Sequence, residues 1–138
     1  MQTIVRTSIT RPWQWGIVAV FDKVAEGDLP EFAPESLASV NQSGLIVRIR
    51  HAQDIEDFDE SFAEGTVTIS FHEEAVEPAQ GRQFVCAGQL STPGGTLSVG
   101  DADMEVVVPP ATGVTNILVS VADPAERSPE YIWLDIWP

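Results

Sequence analysis

The sequence is short of cations. Its 138 residues hold seven Lys and Arg, Lys23 being the single lysine, against 21 Asp and Glu, so the formal net charge is −14. A non-specific nucleic-acid binder draws its affinity from Lys and Arg placed on phosphates, and this balance excludes that class. Binding to anionic membrane surfaces is excluded by the same sign. Cysteine is nearly absent: Cys86 stands alone, so no intrachain disulfide supports the fold. No apolar run approaches the roughly 20 residues of a membrane-spanning helix. Met1–Arg6 shows no basic stretch leading into an apolar one, so no secretory leader is expected. A soluble, cytoplasmic protein is the expectation.

What is present is globular: 43 % apolar residues and a mean hydropathy of +0.03. The length predicts a single domain over residues 1–138. The dominant hydrophobic period is two. Stretches rich in Val, Ile, Thr and aromatics predict strands at Thr3–Thr10, Gln14–Asp22, Gly44–His51, Gly65–Glu73, Arg82–Leu90, Thr96–Val99, Asp103–Val108, Thr115–Val121 and Tyr131–Trp137. Pro93-Gly94-Gly95 predicts a tight hairpin between the fifth and sixth of these, and Pro109–Gly113 interrupts a ladder because proline has no N–H. Only Pro34–Asn41, with Leu37 and Val40 three apart behind a proline, reads as a short helical turn. Short strands without alternating long helices predict an all-β fold, an antiparallel β-sandwich of about eight or nine strands.

Alternation assigns faces. On the strand from Asp103 to Val108, Met104, Val106 and Val108 share one side, while Asp101, Asp103 and Glu105 fall at i, i+2 and i+4 on the other. Like charges on one face repel, which predicts that this face is wet. On Tyr131–Trp137, Ile132, Leu134 and Ile136 form the core side. Tyr131, Trp133, Asp135 and Trp137 fall opposite, under a neighbouring loop or in a contact surface.

The densest local feature is Asp54–Glu64, six acids and no base in eleven residues. Several oxygen ligands suit calcium, but in the EF-hand template an aromatic or an Asp occupies the positions that need other residues. A solvated acidic loop, with Ile55, Phe58 and Phe62 against the rim of the sandwich, is the plainer reading. His72 and Glu74 share a face at a strand end, with His51 at the end of another strand, but a metal site needs three or four converging ligands. Cys86 has no neighbouring base to activate it and reads as a structural thiol. No nucleophile elbow, P-loop or dinucleotide fingerprint occurs. No enzyme activity, cofactor or metal is expected.

Charge therefore carries the functional reading. Carboxylates concentrate at 54–64, 73–77 and 101–105, a pattern that attracts a cationic partner from a distance. The expected partner-binding residues are Asp54, Glu56, Asp57, Asp59, Glu60, Asp101, Asp103, Glu105, Trp133 and Trp137. Two other readings use the same residues: a calcium- or ligand-binding sandwich built on the 54–64 loop, and a homo-oligomer with the Trp133/Trp137 face between copies. Solubility alone is a further use for the acidity.

Ser8-Ile9-Thr10 is followed by Gly16–Asp22, then by Gly44–Arg50, an acid-bearing connection into Gly65–His72, and finally Val106–Pro109, Thr115–Val121 and Tyr131–Ile136. This layout resembles the competence protein J family of bacterial nuclease inhibitors. It implies a small β-sandwich without catalysis of its own that binds and inhibits a nuclease in the cytoplasm. No inhibitory residue is carried over by position.

Overall fold

The computed structural model describes residues 3–33, 35–55, 62–101, 105–108 and 113–138, with the backbone alone for 3, 4 and 105–108. Ten strands follow in chain order: β1 (Thr3–Arg11), β2 (Ile17–Phe21), β3 (Ala38–Asn41), β4 (Gly44–Arg48), β5 (Gly65–His72), β6 (Gln83–Thr92), β7 (Leu97–Gly100), β8 (Glu105–Val108), β9 (Gly113–Val121) and β10 (Tyr131–Trp137). They form two five-stranded sheets, β1-β5-β10-β9-β6 and β3-β4-β2-β7-β8. The sandwich is as expected. Its pairings among the described residues are antiparallel except one: β10 runs parallel to β5.

The nine expected strands are present, and a tenth replaces the expected helical turn. Glu35 takes a φ of 65°, in the left-handed region that no right-handed helix passes through. Ser36 N closes a turn on Ala33 O at 3.0 Å, and Ala38–Asn41 then pairs with β4. Pro34 lies outside the described residues. The Pro93–Gly95 turn also differs from expectation. Gly95 N bonds Thr92 O at 3.1 Å, but the turn carries the chain from one sheet to the other, since β6 pairs with β9 while β7 pairs with β2 and β8. β3 and β4 form a hairpin of this second sheet, where Asn41 Oδ1 accepts the N–H groups of Ser43 and Gly44 at 2.8 and 3.0 Å.

Period-two burial builds the core. Val18 and Val20 of β2, Val67 and Ile69 of β5, Ile117 and Val119 of β9, and Ile132, Leu134 and Ile136 of β10 all turn inward and exclude water. Trp13 plugs one end, fully buried, its indole N–H donating to Gly65 O at 3.0 Å. A Cβ on Gly65 would stand 2.8 Å from Ile49, so only glycine lets these elements approach. At one side of the sandwich, β6 closes against β3: a Cβ on Gly88 would stand 2.8 Å from Val40.

The parallel pair has a topological consequence. β5 is parallel to β10, β10 antiparallel to β9, and β9 antiparallel to β6, so β5 and β6 point the same way with two strands between them. Residues 73–82 must therefore cross about 14 Å of sheet and return about 17 Å along it, a distance ten residues span. The inner face is filled by the core, so this strap runs over the outer face.

Leu134 pairs with Ile69 and Val119 at the centre of the core. Leu134→Ala is expected to destabilise the fold by about 2–5 kcal/mol, read as a lower urea midpoint with an unchanged slope.

Candidate functional site

An outer sheet face is normally wet. Here Ser70, Leu118, Ser120 and Asp135 lie on that face and are buried, as expected for residues beneath the strap. The strap's Val76, Pro78 and Arg82 are half-buried, whereas Glu73, Glu74 and Glu77 are exposed. Polar groups taken from water need partners. Arg6 Nε donates to Ser70 Oγ at 3.0 Å, and His72 Nε2 lies 2.7 Å from Asp135 Oδ1. On this face two oxygens remain buried without a hydrogen-bond partner among the described residues, Asp135 Oδ2 and Ser120 Oγ.

Beside this polar row lies an aromatic one. Tyr131 stacks on Trp133 with centroids 6.3 Å apart and planes 23° from parallel. The Arg82 guanidinium caps Trp133 at 4.6 Å from the ring centroid. Burial holds the Arg82 pKa below its ordinary value, with the Asp135 charge acting in the opposite sense and Arg6 adding to the depression. Phe84 sits across Ser120 from Trp133 and is exposed. The face expected for Tyr131, Trp133, Asp135 and Trp137 is therefore the observed one, with Trp133 and Trp137 half-buried.

At the end of the sandwich next to Tyr131, Arg50, Asp54, Ile55, Glu126, Ser128 and Glu130 line a polar cavity of about 410 Å³. Its single cation is fixed internally: Arg50 donates to Asp54 O at 3.1 Å and approaches Glu130 at 3.7 Å. Ala63 N bonds Ala52 O at 2.9 Å, which ties the two flanks of the acid-rich segment together at this end.

The expected partner-binding residues divide accordingly. Asp54 is exposed in the acidic cavity. Glu56, Asp57, Asp59, Glu60 and Asp103 lie outside the described residues, as does the Glu105 side chain. Asp101 does not face solvent: its side chain is 2 % exposed and bonds Arg11 Nη1 at 2.8 Å. The wet face read from alternation is thus corrected at Asp101, because an arginine 90 positions away in sequence reaches it. His51 and His72 do not meet. His51 bridges to Trp13 at the Gly65 end of β5, and His72 ends that strand. No group of three metal-ligating side chains forms among the described residues. Burial pushes the Cys86 thiol up to about 11, which keeps it protonated near neutrality.

Sequence reasoning missed the His72–Asp135 pair and Arg82. The available signal was Asp135 itself, a carboxylate within the apolar strand Tyr-Ile-Trp-Leu-Asp-Ile-Trp.

The fold is shared with two solved structures. One is ComJ from Bacillus subtilis, described as an inhibitor of the DNA-degrading activity of NucA, at TM-score 0.59 and 8 % identity, covering 99 % of this chain and 96 % of that one. The other is crocagin biosynthetic gene J, at TM-score 0.55 and 13 % identity, covering 97 % of each chain. No protein-family model matches the sequence, and no curated protein matches it. The layout resemblance to competence protein J is therefore carried by the whole fold.

The buried pair generates a test. His72→Leu is expected to cost about 1–3 kcal/mol by leaving Asp135 without its partner, and Asp135→Leu a similar amount. The double variant should cost clearly less than their sum in a denaturant-unfolding cycle.

Proposed function

We propose that the protein is a non-enzymatic binding protein that inhibits a cationic partner, and that this partner is a DNA-degrading nuclease. The observation that carries the reading is the one-sided use of charge. Arginines are turned to use within the molecule: Arg6 on Ser70, Arg11 on Asp101, Arg48 on Ser36 O, Arg50 on Asp54 O and Arg82 on Trp133. Among the acids whose side chains are described, only Asp22, Asp101 and Asp135 turn inward; the others stand exposed. The surface is therefore a negative field with few compensating charges, which speeds encounter with a cationic partner and repels anionic ones.

The fold shared with an inhibitor of DNA degradation supports the nuclease as the kind of partner. A nuclease cleft is cationic because its substrate is a polyphosphate, and carboxylates compete for such a cleft. The docking end in this reading holds Asp54, Glu126 and Glu130 around the polar cavity, with Tyr131 on Trp133 beside it. Aromatic rings supply area at little entropic cost, and the carboxylates supply orientation.

Added in molar excess to the DNA-degrading nuclease of its own source cell, the protein is expected to stop digestion. Inhibition should weaken as salt rises, and Glu126→Lys with Glu130→Lys should raise the inhibitory concentration by roughly tenfold or more. Undiminished digestion in low salt would refute the proposal.

A further inference from the structure

Arg82 belongs to the strap and not to the sheet, yet its guanidinium lies on the Trp133 ring at 4.6 Å. Among the described residues, no carboxylate forms an ion pair with it. Beside it, Asp135 is 5 % exposed and offers an oxygen, Oδ2, that has no donor. Ser120 Oγ, one strand across on the same face, is buried and equally without a partner. An electron-rich ring face with two unmet acceptors on the same sheet face, one on the paired residue Ser120 and one two positions along β10, is the complement of a planar cation. A guanidinium stacks on the ring while its N–H fork reaches the oxygens.

Arg82 fills the stacking half of that arrangement and leaves the acceptors unmet. Its burial without an ion pair is poorly compensated, which agrees with its depressed pKa. We propose that the Trp133–Asp135–Ser120 face is a guanidinium-recognition site, occupied in cis by Arg82 and taken over by an exposed arginine of the partner protein. The inference rests on the inhibitor reading and names the chemical group that the partner presents. Charge favours this occupant: Glu73, Glu74 and Glu77 on the strap and Glu130 beside Tyr131 are all exposed. An incoming arginine meets carboxylates on its approach and supplies the donors that Asp135 Oδ2 and Ser120 Oγ lack.

The test uses the chain alone, so its failure is separable from failure of the nuclease assay. Arg82→Ala is expected to melt below the unmodified protein. N-acetylarginine amide, an arginine side chain on a capped backbone, should raise the variant's Tm saturably while leaving the unmodified protein unchanged against sodium chloride of equal ionic strength. Arg82→Gln keeps the aliphatic stem over Trp133 and serves in the same titration should Arg82→Ala not fold. The rescue should disappear when Asp135→Asn is added to either variant. Equal Tm shifts in variant and unmodified protein, or a rescue that survives Asp135→Asn, would overturn the site. Stronger rescue by ethylguanidinium, a singly charged guanidinium without a peptide backbone, would overturn the assignment to a protein arginine.

Discussion

The rest of the structure depends on the position of β10. It lies between β5 and β9, parallel to the first and antiparallel to the second. That one insertion makes β5 and β6 parallel at a distance, and a parallel pair in one sheet cannot be joined by a hairpin. The strap follows from this, and so does the dry outer face beneath it. Polar side chains that would otherwise hydrate must then bond one another, which gives the Arg6–Ser70 and His72–Asp135 contacts. The same cover brings Arg82 onto Trp133. A loop imposed by topology thus becomes the element that organises the chemistry of the face.

Charge is partitioned on the same principle. Each arginine that turns inward neutralises a buried carboxylate, bonds a buried hydroxyl or carbonyl, or caps an aromatic ring; Arg48 does the last over Phe32 at 4.0 Å. The buried acid Asp22 accepts from Val24 N and Gly94 N, both at 2.8 Å, and so pins the turn after β6 to the segment after β2. With cations and a few acids serving the interior, the other carboxylates whose side chains are described face solvent. The field that results depends on which charges the fold encloses as much as on composition.

Alternation of apolar residues made nine strands and both faces of β10 legible, because period two reports which side of a strand meets the core. It reports nothing about which strands are neighbours. The parallel β5–β10 pair was therefore invisible, and with it the strap. β3 reads as helical in the sequence because four residues are too few to display a period and Leu37 with Val40 imitates a helical face; Glu35 at positive φ decides against the helix. Asp101 was read as solvent-facing because a carboxylate's partner cannot be known when it is Arg11, far away in sequence. His72 and Asp135, 63 positions apart, met for the same reason of topology. Of the expected docking residues, Asp54 and the Trp133 face were placed by local pattern, whereas Glu126 and Glu130 join Asp54 only because the loop before β10 folds beside it.

The proposed docking surface is the acidic end together with the adjoining aromatic face of β10. Hydrogen–deuterium exchange of the protein bound to the nuclease it inhibits tests this most directly. Protection is expected at residues 50–55, 122–133 and the strap 73–82. Protection confined instead to the outer face of the other sheet, where Trp15, Ile17, Phe21 and Leu29 line an apolar groove of about 400 Å³, would contradict it.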